Sequence, residues 1–90
     1  MKNTGRHYWV VGKVQGVAYR AFAQQQARNL GITGWVRNRA DGRVELVAYG
    51  DPEKLDVLQA RLQQGPPSAK VTQLHVSEHP FEADNDFLIR

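Results

Sequence analysis

Ninety residues with 41% hydrophobic and 23% charged content are enough for one compact core and too few for two, so a single domain over residues 1–90 is expected. The chain has no cysteine, which excludes a disulfide framework, a thiolate metal site and a thiol nucleophile, while the polar start Met1 to Arg6 and the lack of any membrane-length apolar run leave a cytoplasmic monomer with no membrane partner as the expectation. The net charge of +3 is unevenly spread: residues 12–50 carry Lys13, Arg20, Arg28, Arg37, Arg39 and Arg43 against Asp41 and Glu45, whereas residues 51–90 are acidic on balance, so the central segment is the better host for an anion.

In chain order, residues 6–14 are β-branched and aromatic and too short for a buried helix, which reads as a strand. Gln15 to Ala18 is a tight link. From Tyr19 to Leu30 the apolar positions Tyr19, Ala23, Ala27 and Leu30 recur at helical spacing, with Gly31 as the stop. Residues 33–39 and 43–49 form two strands joined by the turn Ala40-Asp41-Gly42, hence an antiparallel hairpin. Asp51 caps a second helix with Pro52 at its first position and the stripe Leu55, Leu58, Leu62, until Gly65-Pro66-Pro67 ends it. Residues 70–78 make a fourth strand with Leu74 and Val76 inward, and Phe87 to Arg90 supplies a short fifth. The expected fold class is α+β, a ferredoxin-like βαββαβ sandwich with two helices on one face of an antiparallel sheet.

The segment Gly12-Lys13-Val14-Gln15-Gly16-Val17-Ala18-Tyr19-Arg20 joins a strand to a helix through a glycine-containing turn. Such a turn aims successive backbone N–H groups at one spot, and the helix N-terminus adds about half a positive charge there. Arg20, in a first helical turn that disfavours cations, is explained if it shares an anion with those amides. On this loop alone the plainer reading prevails, with Gly16 a turn residue and Arg20 a solvated charge. The loop lacks the glycine-lysine-serine/threonine ending of a nucleotide phosphate loop and the spaced glycines of a dinucleotide fold, so ATP is not expected.

The second segment runs from Gly34-Trp35-Val36-Arg37-Asn38-Arg39 through Gly42, Val44 and Gly50. Val10 to Arg20 resembles the first acylphosphatase signature and Gly34 to Gly50 the second, and the order of elements matches that family's fold; the resemblance is to the small free-standing, bacterial-type members. It implies that the amides of Gln15, Gly16, Val17, Ala18, Tyr19 and Arg20 cradle a phosphoryl group, that Arg20 binds it, and that Asn38 orients the attacking water. Without the resemblance, Asn38 would pass as a turn residue capping the hairpin. Tyr19 departs from the phenylalanine or methionine usual in the family, and its hydroxyl needs a partner or solvent.

The implied reaction is hydrolysis of acyl phosphates, carboxyl-phosphate anhydrides, to carboxylate and inorganic phosphate. Its leaving group is a carboxylate, so no general acid is required, and positioning with charge stabilisation is enough. No metal and no cofactor are expected. His75 and His79 on one strand lie roughly 13 Å apart and make no helical metal pair. Glu82, Asp84 and Asp86 read as a solvated loop. Trp9, Trp35, Val47 and Tyr49 fall on the sheet face opposite Tyr8, Val10, Val36, Leu46 and Ala48; they either stiffen a one-sided sheet or dock another chain. An RNA-binding module shares the element order, but residues 43–49 lack its basic-glycine-aromatic block and Glu45 on the open face would repel phosphate, so no nucleic-acid partner is expected. A module of a larger carbamoyl-transfer maturation protein would need further domains, and the end at Arg90 favours a free-standing enzyme.

Overall fold

The structure, a computed structural model, describes residues 2–90. Its elements are β1 (Thr4–Lys13), α1 (Tyr19–Asn29), β2 (Thr33–Asn38), β3 (Val44–Gly50), α2 (Pro52–Gln64), β4 (Lys70–His79) and β5 (Phe87–Ile89). The sheet order is β4-β1-β3-β2-β5, the ferredoxin-like arrangement with one added strand. β1, β2, β3 and β4 pair antiparallel. β5 instead runs parallel to β2, placing Phe87 opposite Gly34 and Ile89 opposite Val36. The sheet is therefore mixed, a correction to the all-antiparallel expectation.

Strand alternation puts Tyr8, Val10, Val36, Val44, Leu46 and Ala48 on the helix-covered face, where they form one core with Tyr19, Ala23 and Ala27 of α1 and Leu55, Leu58 and Leu62 of α2. The two alanines keep α1 close to the sheet. At the start of α2, the Asp51 carboxylate accepts from the Glu53 N–H at 2.9 Å and Pro52 occupies the first turn, where its missing N–H costs nothing. β4 differs from its expected pattern. Its register shifts between Val11 and Gly12, so Thr72 is left unpaired and both Val71 and Leu74 turn toward the core. Val76 shares their face opposite Tyr8 but stays 41% exposed, because an outermost strand runs beyond the cover of α2.

The opposite sheet face is not bare. Tyr49 is buried because the chain after β4 folds over it: its hydroxyl donates to Glu82 at 3.1 Å, and the Phe81 ring meets its ring edge-on at 6.0 Å; Val47 is buried between its cross-strand neighbours His7 and Trp35. Thus Glu82 anchors this crossing, and Asp86 is likewise tied, to Arg28, by two hydrogen bonds of 2.9 and 2.8 Å. The stretch from Glu82 to Asn85 is an exposed loop, as expected, held at its two ends by these contacts.

Candidate active site

Between β1 and α1 the backbone turns left-handed twice, at Gly16 (φ 72°) and at Ala18 (φ 60°). Glycine tolerates this conformation; alanine adopts it at a cost of about 1–2 kcal/mol. Ala18 is the one non-glycine residue with positive φ among the described residues. The turn carries the chain straight into α1 without a side-chain cap and with no acidic residue in its first turn. Phe22 N–H bonds to the Ala18 carbonyl at 3.0 Å, so the amides of Tyr19, Arg20 and Ala21 precede the first intrahelical bond and have no helical acceptor. A helix start without a side-chain cap, with its first amides unbonded within the helix, is favourable for negative charge.

A cleft of about 190 Å³ opens over these amides, lined by Val14, Gly16, Ala18, Tyr19, Arg20, Ala21, Asn38 and Ile89. It brings together five of the residues singled out in the sequence: Gly16, Ala18, Tyr19, Arg20 and Asn38. Gln15 and Val17 do not line it. The Gln15 side-chain amide instead donates to the carbonyls of Arg39 and Arg43 at 2.8 and 3.0 Å, fastening the loop to the β2–β3 hairpin beside Asn38. Val17 packs against the core while its carbonyl accepts from Ser68. Val14, Ala21 and Ile89 were not foreseen. Ile89 arrives through the parallel pairing of β5, which no local pattern announces.

Asn38, the last residue of β2, has a buried Oδ1 with no protein partner; Tyr8 Oη is the other such side-chain atom among the described residues. An unpaired buried acceptor costs about 1–3 kcal/mol unless a donor such as water fills it. Arg20 enters none of the ion pairs found among the described residues. Its neighbours in sequence fare differently. The Tyr19 ring is buried, and its hydroxyl donates to the Leu62 carbonyl at 2.7 Å. That carbonyl would bond to residue 66 in a continuing helix, but residue 66 is proline and has no N–H. The hydroxyl thus has the partner it needed, and burial pushes its pKa well up.

Behind Asn38, Glu45 collects His7 at 2.7 Å, Arg37 at 2.9 Å and Arg39 at 3.4 Å. Burial alone would raise the Glu45 carboxyl, but hydrogen bonds from His7 and Arg37 and their charges prevail and hold it below the usual carboxylate range. The carboxylate is buried and neutralised, so the expectation that it would repel phosphate from the open face is corrected. What does occupy that face is arginine over tryptophan. Arg43 lies 3.9 Å from the Trp9 ring centroid, and Arg37 and Arg90 lie 5.0 and 4.9 Å from that of Trp35, so the indoles are covered by cations and not free for base stacking. His75 and His79 bond to Gln73 and to the Pro80 carbonyl, and no group of three or more His, Asp or Glu with metal-ligand geometry occurs among the described residues.

A small cleft with an unpaired guanidinium, free amides on one helix end and a buried unpaired acceptor suits a tetrahedral anion beside an ordered water. A family model for acylphosphatase matches residues 6–89. The acylphosphatase of Methylococcus capsulatus is 60% identical over 72 residues, which cover 80% of this chain and 78% of that protein. Among solved structures, an acylphosphatase from Coxiella burnetii has a TM-score of 0.94 at 41% identity, covering 98% of this chain and 93% of that chain. That of Bacillus subtilis also has a TM-score of 0.94, at 37% identity and 99% coverage of both chains.

Proposed function

Because the chain belongs to the acylphosphatase family and so hydrolyses acyl phosphates to a carboxylate and inorganic phosphate, we propose a division of labour: Arg20 and the loop amides hold the phosphoryl group, and Asn38 aims the water. The observation that carries this reading is the meeting of Arg20, the uncapped start of α1 and Asn38 in one cleft. Arg20 offers a planar fork to the phosphoryl oxygens, and the amides from residue 15 to residue 20 complete the cradle. Gln15 contributes through its backbone and through the brace to the hairpin, Val17 through its backbone.

The chemistry follows from the donor inventory. The Asn38 side-chain amide hydrogen-bonds a water and thereby points its lone pair at phosphorus. An amide is too weak a base to take the proton, so a phosphoryl oxygen receives it as the new P–O bond forms. The bond between phosphorus and the acyl oxygen breaks, and its electron pair leaves with the carboxylate. Negative charge gathering on the equatorial oxygens is met by Arg20 and by amides already oriented, which need no reorganisation.

This set of groups neutralises the phosphoryl charge without a divalent ion, so hydrolysis of benzoyl phosphate is expected to proceed in EDTA, with inorganic phosphate competing. Activity lost to EDTA and restored by magnesium or zinc, or noncompetitive inhibition by phosphate, would overturn the reading. With it goes the expectation that residues 1–90 act as one domain, a cytoplasmic monomer without nucleic-acid or membrane partners. No helix among the described residues is long and apolar enough to cross a membrane. Sedimentation of the purified protein tests the monomer directly.

A further inference from the structure

From the shape of the same cleft we infer that Ile89 is a specificity-determining residue: its side chain forms the contact for the acyl half of the substrate and selects for an apolar acyl group, aryl or medium-chain alkyl. The inference rests on the phosphoryl-site reading above and extends it to the other end of the molecule being cleaved. The groups assigned so far all address the phosphoryl end. Arg20, Asn38 and the amides are polar, whereas the remaining lining, Val14, Ala18, Ala21 and Ile89, is apolar. Val14 is already 1% exposed, so it has no surface left to give a ligand. Ile89 is 41% exposed, and it is the large apolar side chain of the lining with area still to bury.

Its position is set from both sides. The Phe87 side chain is fully buried, and its carbonyl accepts from Gln24 of α1 at 2.9 Å. The Gly34 N–H bonds to the Asp86 carbonyl at 3.0 Å and the Arg90 N–H to the Val36 carbonyl at 2.8 Å. Ile89 is therefore fixed opposite Val36. Asn38 lies two residues further along β2, on the same face of the strand and roughly 7 Å away along its axis. With the phosphoryl group held by Arg20, the water at Asn38 and the leaving group in line on the other side of phosphorus, Ile89 is the exposed apolar side chain of the cleft that the acyl group can meet. Covering that side chain removes apolar surface from water on both partners, and each buried methylene is worth a factor of about four in binding. A pocket contact of this kind discriminates among acyl groups by their size and polarity, not by their charge.

The test compares benzoyl phosphate with acetyl phosphate, whose methyl group is too short to cover Ile89, in wild type, Ile89→Ala, Ile89→Leu and, as a control on the opposite face of β5, Leu88→Ala. Ile89→Ala is expected to lower the benzoyl-to-acetyl ratio of kcat/KM by about five- to tenfold, with the inhibition constant of inorganic phosphate unchanged. Ile89→Leu should keep most of the ratio, and Leu88→Ala should keep all of it. An unchanged ratio in a folded Ile89→Ala protein would overturn the inference, as would an equal loss for both substrates, since Ile89 would then only brace the site. Failure of the phosphoryl-site reading is distinguishable: phosphate would not compete even in wild type, whatever the acyl preference.

Discussion

Arg20 lies in the first turn of α1, a place where the helix field opposes a cation, and no carboxylate compensates it. The position makes sense when an anion is shared between guanidinium and amides. Arg20→Lys keeps the charge and loses the planar fork, so kcat/KM is expected to fall by roughly a hundredfold or more, with weaker phosphate inhibition. Initial-rate kinetics on the folded variant check this; near-normal rates would make Arg20 a bystander. At this scale the site was partly legible. Gly16, Arg20 and Asn38 are proposed through the resemblance of two spaced segments to a family signature, since the residues alone read as a turn glycine, a solvated charge and a hairpin cap. Ile89 is not among them, because an isoleucine near a chain end has no signature until the strand partner is known. Gln15 was assigned to the loop without its second task, since a side chain's reach to carbonyls at residues 39 and 43 is a tertiary fact.

Two hydrogen bonds join the two helices: Arg61 donates to the Gln26 side chain at 2.8 Å, and the Tyr19 hydroxyl donates to the Leu62 carbonyl, which Pro66 leaves without a helical donor. Tyr19→Phe should therefore cost more than an exposed hydroxyl would, about 1–3 kcal/mol, because a carbonyl is left buried and unpaired. Urea unfolding measures the cost directly, and a thermal melt should drop by several degrees. No change in either would mean that the carbonyl finds another donor. Elements themselves were readable from period and punctuation: Asp51-Pro52 and Gly65 bound α2, and the Asp41-Gly42 turn set the hairpin. Two features were not. The bulge at Thr72 and the parallel pairing of β5 depend on which strand lies alongside, and the alternation of one strand carries no information about its neighbour.

Across the whole molecule, three carboxylates are held below their usual range. Asp41 is lowered chiefly by its hydrogen bond to Arg43 and Asp86 by its bond to Arg28, while at Glu45 the pull of His7 and Arg37 outweighs the opposing effect of burial. A depressed folded pKa means that the unfolded chain binds the proton more readily. Stability from these groups is present above the unfolded carboxylate pKa, near 4, and is lost as pH falls through their lower folded values. Urea midpoints should accordingly decline on acidification from pH 7 to about pH 3. Glu45→Gln should blunt part of that decline, since the most buried of the three no longer titrates. An identical acid profile in the variant would show that Glu45 contributes nothing to it. Because Glu45 holds Arg37 and Arg39, the residues flanking Asn38, acid is also expected to loosen the water-positioning side of the cleft.

The division of labour in the cleft is tested most directly by measuring kcat for benzoyl phosphate and the competitive inhibition constant of inorganic phosphate together, in EDTA, for Asn38→Ala beside wild type. Loss of a water-orienting group costs on the order of 2–4 kcal/mol of barrier, so kcat should fall roughly a hundredfold to a thousandfold. The phosphate constant should hardly move. A melt controls for the hairpin, where Asn38 ends β2 beside the turn. If phosphate binding instead weakens in step with kcat while the melting temperature holds, Asn38 grips the phosphoryl group itself, and the assignment of the water to Asn38 is contradicted.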